Sequence, residues 1–281
     1  MIYNKLNDQD VDPKYLDDLL ITVLLATYNW PQALELTLQS LRTQTDLDFE
    51  IVIVDDGSAE ETSRVIVEFQ KDFPVPICHV WQEDIGFRKS KILNQGIAQA
   101  QGNYLVFLDG DCIPQPDFIA RHRALSEPGH FITGSRILLG QQLTKQLCDA
   151  RVWNFARFKR SSLRNRFKGQ LNKIAAFFIK VPDNRWRIYS KFVWRRIKGC
   201  NMACWKSDAQ AIGGFDEELV GWGHEDADFV FRLQEHHKVR RKSGSFSTEI
   251  LHLWHPMGDR SQAEKNAKTV RAKIMAKLST G

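Results

Sequence analysis

Two aspartates one residue apart, Asp109-Gly110-Asp111, follow directly on the apolar run Tyr104 to Leu108. Carboxylates this close make a concentrated negative pocket that calls for a cation. Hard oxygen ligands suit Mg²⁺ or Mn²⁺, which keep positions open for the phosphates of a nucleotide. Asp55-Asp56-Gly57-Ser58 repeats the pattern one strand earlier, after Glu50 to Val54. Together with Ala26-Thr27-Tyr28-Asn29, at the end of the first apolar run, the spacing describes a nucleotide pocket. A carboxylate there can accept from the N3–H of uracil and so select the base. A third cluster, Gly221-Trp222-Gly223-His224-Glu225-Asp226, combines two glycines that permit close approach with acids in the first turn of a helix, whose dipole favours ionised carboxylates. Finally, His252-Leu253-Trp254-His255 puts two imidazoles near the end of an apolar stretch from Ile250. A divalent ion with carboxylate ligands can use a nitrogen ligand, and Mn²⁺ accepts imidazole more readily than Mg²⁺ does.

Each group has a plainer alternative. Asp-Gly-Asp can be an ordinary turn, Ser58 can cap the helix that follows it, Glu225 and Asp226 can be helix-capping acids, and the two histidines can be structural. What favours chemistry is the arrangement of elements behind these residues. Ile21 to Tyr28, Glu50 to Val54, Ile77 to Trp81 and Tyr104 to Leu108 read as strands, and they alternate with helical patterns. The first helix is expected to be capped by Asn29, with Pro31 in its first turn and Leu34, Leu38 and Leu41 on one face. The next two run over Glu60 to Phe69 and Ser90 to Ala100. Strands that are apolar throughout are covered by helices on both faces, which predicts an α/β fold with a mostly parallel central sheet. Ligands bind beyond the carboxyl ends of such strands, where the acid-bearing turns converge. Further on, His130 to Ile137 and Asn201 to Trp205 read as strands, helices start at Ser207 and His224, and Ser261 to Leu278 is helix-prone.

The 281 residues are 43% hydrophobic and 26% charged, which excludes disorder, collagen and disulfide-scaffold readings. Five scattered cysteines without a C-x-x-C pair fit a reducing compartment, argue against structural zinc and are expected to be buried thiols. The polar start, Met1 to Asp18, has no apolar signal stretch, and the apolar runs, such as Ile174 to Ile179, are far shorter than the ~20 residues a membrane span needs. The net charge of +5 hides an asymmetry. Residues 151–198 carry fifteen Lys and Arg against one acid, Asp183, and the remainder of the chain is acidic.

The four motifs in this order resemble the family 2 glycosyltransferases of the GT-A fold. The likeness runs from about Ile21 to Ile137, through Ala-Thr-Tyr-Asn, Val-Asp-Asp-Gly-Ser and Leu-Asp-Gly-Asp. It resumes from about Lys198 to Pro256, where Trp-Gly-His-Glu-Asp is similar to the Trp-Gly-x-Glu-Asp region of galactosyltransferases and chondroitin-polymerase-type enzymes. The resemblance implies a metal-dependent inverting transfer of a sugar from a nucleotide diphosphate, UDP by preference, to a saccharide or lipid-linked hydroxyl. It implies that Asp55 contacts uracil, that Asp109 with Gly110 faces the ribose or diphosphate, and that Asp111 binds Mn²⁺ or Mg²⁺ with His252 or His255. Asp226 would be the base, Glu225 would grip acceptor hydroxyls, and Trp222 with Gly223 would form a platform under a sugar. Thr27, Tyr28, Asn29 and Asp56 complete the nucleotide pocket. One departure is Lys89-Ser90-Lys91-Ile92-Leu93-Asn94-Gln95-Gly96, where Leu93 replaces a frequent arginine, so the diphosphate contact falls to Arg88, Lys89 or Lys91.

The chain accordingly divides into a nucleotide-sugar half (1–140), a basic aromatic insertion expected to be helical (141–198), an acceptor and catalytic half (199–258) and a terminal helix (259–281). The insertion interleaves ten aromatics, among them Trp153, Phe158, Phe167, Trp186 and Trp194, with its cations. It is read as a peripheral anchor on an anionic cytoplasmic membrane face; the alternative is that these aromatics pack a helical insertion under Arg and Lys stems. A sugar nucleotidyltransferase is the rival enzyme class, but no Gly-rich phosphate loop stands near the amino terminus. A nucleic-acid-binding role would leave the acidic cleft without a purpose, so no nucleic acid is expected.

Overall fold

The computed structural model of the chain describes residues 19–193, 196–235, 237–256 and 259–278. The run Met1 to Asp18 and Trp194 lie outside them. Four strands, β1 (Ile21–Thr27), β2 (Phe49–Asp55), β3 (Ile77–Trp81) and β4 (Tyr104–Asp109), form the parallel part of the main sheet in the order β3-β2-β1-β4. Their connections are α1 (Pro31–Arg42), α2 (Glu60–Gln70) and α3 (Lys89–Gln99). β1 and β2 are buried almost without interruption because helices cover both faces of the sheet. Leu34, Leu38 and Leu41 of α1 are fully buried against one face, and Ile92, Leu93 and Ile97 of α3 pack against the other.

After β4 the sheet becomes mixed. β5 (Cys112–Pro114) leaves it, and α4 (Phe118–Leu125) leads to β6 (His130–Thr133) and β7 (Arg136–Leu138). The single strand expected over His130 to Ile137 is therefore two strands in two sheets. At the break, the Gly134 N–H donates to the Asn201 carbonyl, and a Cβ on Gly134 would lie 2.2 Å from the Asn201 side chain. β9 (Asn201–Trp205) runs antiparallel between β4 and β6. β10 (Arg240–Ser243) pairs with β6, and β8 (Ile188–Tyr189) closes the edge. A second sheet, β5-β11-β7, uses β11 (Ile250–His252).

The basic stretch contains α5 (Gln141–Ala150) and α6 (Phe155–Phe167), and after them its described residues hold short 3₁₀ turns, among them Ala175–Phe177 and Arg185–Arg187, and the short strand β8, so its long helices are confined to its first part. Trp153, Phe155, Phe158 and Phe177 pack into a third core cluster beneath β5 and β11, whereas Phe167, Phe178 and Trp186 are exposed. α7 (Lys206–Ala211), α8 (Glu225–Glu235) and α9 (Ala263–Leu278) complete the fold. Among the cysteines, Cys112, Cys200 and Cys204 are buried, Cys148 is half-buried and Cys78 is exposed at the β3 edge of the sheet.

The expected cap of α1 and the alternative reading of Ser58 as a cap both differ from the structure. Trp30, not Asn29, occupies the N-cap of α1, and Ala59, not Ser58, that of α2. Asn29 adopts φ 44°, and its N–H donates to Ser58 Oγ while its Oδ1 accepts from the Ala59 N–H. These residues tie two adjacent strand-to-helix turns together at the carboxyl edge of the sheet.

Candidate active site

The turns after β1, β2 and β4 open onto a cavity of about 900 Å³, closed by the segment before α8 and by the residues after β11. Thr27, Tyr28, Asp56, Lys89, Asp109, Trp222, Gly223, Glu225, Asp226, His252 and His255 all line it. Such a volume lies at the upper end of ordinary ligand sites.

Asp111 follows β4 by two residues, and the register of the small sheet brings the histidines to it. His252 pairs with Cys112, and the Leu253 N–H donates to the Asp111 carbonyl at 3.0 Å. Asp111 Oδ2 thereby lies 3.9 Å from His252 Nε2 and 3.3 Å from His255 Nε2. Burial pushes the His252 imidazole below its ordinary value, against the opposing pull of Asp111, so its ring is neutral and has a lone pair to offer. One carboxylate and two imidazoles whose ligand atoms lie within 4.8 Å of one another fit a divalent ion of the Mn²⁺ kind. A second cluster, Cys112, Cys200 and His252, shares one histidine, but burial raises the Cys112 thiol well above its usual range and so disfavours the thiolate a metal needs.

On the nucleotide side, Asp55 ends β2 with its side chain wholly buried: Oδ1 accepts from the Ser58 N–H at 2.7 Å and Oδ2 is 3.1 Å from His79 Nε2. It does not line the cavity, and both its oxygens are already engaged, so the structure brings Asp56 rather than Asp55 to the nucleotide end. Asp56 does, held by the Arg88 N–H at 2.8 Å and by Gln82 Nε2, with burial raising its carboxyl. The Tyr28 hydroxyl donates to Asp84 Oδ2 at 2.8 Å. Asn29 and Gly110 shape the turns and do not line the cavity; Gly110 accepts from Thr37 Oγ1 and donates its N–H to the Ala26 carbonyl. Of the three cations considered for the diphosphate, Lys89 is in the cavity, Lys91 is exposed outside it, and Arg88 contributes its backbone N–H to Asp56. Lys89 Nζ is 2.5 Å from Asp109 Oδ1. Burial alone would lower its pKa, but Asp109 and Glu225 hold the ammonium well above the ordinary lysine range.

The acceptor side is built by backbone geometry. His224 takes φ 74° and Gly223 φ 107° immediately before α8, and Asn266 Nδ2 of α9 donates to the carbonyls of Val220 and Gly223. Trp222 is 40% exposed, with the Arg260 guanidinium 4.6 Å from its ring centre. Asp226 Oδ2 accepts from the Gly199 N–H at 2.9 Å and Oδ1 from the Ala227 N–H at 2.8 Å. Those amides fix the carboxylate and leave each oxygen a second lone pair. Glu225 Oε2 is buried with no hydrogen-bond partner among the described residues. Burial, reinforced by Asp226, pushes its carboxyl up to about 7. Arg136, Lys198 and Arg260 also line the cavity, and Asp84 holds the Tyr28 hydroxyl. Their motifs were silent because nothing local distinguishes them from surface residues.

Comparison with known proteins matches the model of Glycosyl transferase family 2 to residues 22–187, and a model described as the N-terminal domain of galactosyltransferase to residues 184–255. The chain is 29% identical over 230 residues to a chondroitin synthase of Escherichia coli, covering 76% of this chain and 32% of that one. It is 27% identical over 235 residues to a validoxylamine A glucosyltransferase of Streptomyces hygroscopicus subsp. jinggangensis (strain 5008), covering 77% and 52%. It thus spans between a third and about half of these relatives. Among solved structures, the mannosyltransferase PcManGT from Pyrobaculum calidifontis, in complex with GDP-Man and Mn²⁺, superposes with a TM-score of 0.59 at 18% identity, covering 89% of this chain and 64% of that one. S. aureus TarS 1-349 in complex with UDP gives 0.54 at 16% identity, covering 92% and 65%. The architecture is that of GT-A glycosyltransferases.

Proposed function

Because the chain belongs to glycosyl transferase family 2, we propose that it transfers a sugar, with inversion, from a nucleotide diphosphate sugar to a hydroxyl of a saccharide or lipid-linked saccharide. The observation that carries this reading is that one cavity is lined both by the histidines beside Asp111 and by the Glu225-Asp226 pair. Asp56 is the carboxylate for the base, and Thr27 and Tyr28 line the nucleotide end. UDP is the preferred donor nucleotide, since a carboxylate suits the N3–H of uracil and TarS is solved with UDP. Asp111, His252 and His255 would hold Mn²⁺, which supplies positive charge to the departing diphosphate; Lys89 adds a fixed cation to the same cavity.

Asp226 accepts the proton of the acceptor hydroxyl as that oxygen bonds to the anomeric carbon and the bond to the diphosphate oxygen breaks. A base on the face opposite the leaving group gives inversion. Glu225 orients the hydroxyl, and Trp222 stacks on the sugar face. The exposed cations and aromatics of the basic stretch would rest on an anionic membrane surface that presents a lipid-linked acceptor; no helix among the described residues is long and apolar enough to cross a membrane.

Isothermal titration with UDP and steady-state assays test the site roles. Asp226→Asn is expected to lower kcat on the order of 10²-fold with nucleotide affinity nearly unchanged. Asp111→Asn or EDTA should remove both binding and turnover, and full wild-type activity in excess EDTA would sink the metal assignment.

A further inference from the structure

Beside the active-site cavity lies a second one of about 450 Å³, which shares Arg136, Leu138 and Lys198 with it. Its lining contains five cations, Arg136, Lys173, Arg196, Lys198 and Arg241, and no acidic residue among the described residues. Hydroxyls of Thr133, Ser135, Ser243 and Ser245 alternate with them. Arg241 is the telling member. It lies on β10 with 2% exposure, its guanidinium stacks 4.4 Å from the Tyr189 ring centre, Nη1 donates to Thr133 Oγ1 at 3.3 Å, and Nε and Nη2 are buried with no hydrogen-bond partner among the described residues. Its neighbour Lys242, equally buried, is neutralised by Glu127 at 2.6 Å and Asp183 at 2.8 Å. Buried charges are ordinarily paired, so a guanidinium left without an acid in a cation-lined cavity fits a site for an anion.

The position of this cavity says what the anion belongs to. Lys198, on its wall, precedes Gly199, whose N–H holds Asp226 Oδ2. Through Lys198 it adjoins the base, and Leu138, paired in register with His252, puts the ligand cluster on its other flank. We infer that the second cavity is an acceptor subsite that binds a phosphate or diphosphate group carried by the acceptor, an assignment that rests on the transferase reading above. A phosphomonoester or diphosphate carries two or more charges and accepts from Arg forks and hydroxyls together, which suits a lining of cations and hydroxyls better than a single carboxylate does. The same chemistry belongs to a lipid diphosphate and to a soluble sugar phosphate.

Isothermal titration of the metal-stripped full chain with inorganic pyrophosphate, and in parallel with a short-chain prenyl diphosphate, tests this. Binding of pyrophosphate by the wild type, weakened at least tenfold in Lys173→Gln/Arg196→Gln, is expected; the single Arg196→Gln change, at an exposed residue, gives the same direction if the double variant folds poorly. Tighter binding of the prenyl compound would identify a lipid-linked acceptor and equal binding a soluble one, each in support. Absence of pyrophosphate binding would overturn the inference. So would undiminished binding in the double variant combined with loss in Lys89→Gln, which would put the anion in the donor pocket. Titration of the wild type with UDP and Mn²⁺ is the separate measure of the transferase reading, since failure there with pyrophosphate binding intact would sink that reading and leave the anion site standing.

Discussion

Glu225 is the residue whose chemistry depends most on its surroundings. With its carboxyl raised from 4.5 to about 7 by burial and by Asp226, it is protonated in the folded chain at pH values where the unfolded chain is ionised. The unfolded state then binds fewer protons, so this group's contribution to stability declines as pH rises from about 4.5 towards 7 and stays low above that. Glu225→Gln, which mimics the protonated form, should therefore gain stability relative to wild type between about pH 5 and pH 8, by on the order of 1–2 kcal/mol. Urea unfolding of both metal-free proteins at the two pH values measures it; an identical difference at both would show that the carboxyl is not raised. Lys89 tempers the effect, since its ammonium, bonded to Asp109, favours the ionised glutamate.

Two elements carry separable tasks. α3 brings Lys89 into the cavity from its first turn, and it can approach the sheet only because Gly96 has no side chain. A Cβ there would lie 2.4 Å from Val54 Cγ1 and 3.0 Å from Leu24 Cδ2. Gly96→Ala should cost about 1–3 kcal/mol by overpacking, seen as a lower denaturation midpoint, and should weaken nucleotide binding because α3 must move outward; unchanged stability would show that the sheet yields without cost. α6 carries the proposed membrane contact. Arg157, Arg160, Arg164 and Arg166 are exposed along it beside Leu163 and Phe167, the last 84% exposed. Near an anionic bilayer each basic residue is worth about 1 kcal/mol. The protein should co-sediment with anionic vesicles and only weakly with neutral ones, and replacing these four arginines with glutamine should release it. Equal binding to both vesicle types would remove the electrostatic account of this surface.

Across the molecule, the parallel half of the sheet and the motifs at its carboxyl edge were legible in the chain, because both are local. Continuous apolar runs specify strands buried on two faces, and short acid-bearing turns must follow them. The paired acids of Asp109-Gly110-Asp111, the histidines at 252 and 255, and the acids opening α8 were legible as chemistry for the same reason. Which of them share a site depends on long-range pairing. The pairing of β5 with β11, across more than a hundred residues of chain, chose the partners of Asp111 through its register with His252. The extension of β2 to Asp55 turned that side chain inward and left Asp56 to face the cavity, since successive strand residues point to opposite sides. In the basic stretch, composition could not separate the aromatics that pack, such as Phe158 and Phe177, from those that are exposed, such as Phe167 and Trp186. Burial there is set by neighbours contributed from β5, β11 and α1, and spacing within one segment carries no record of contacts made by another.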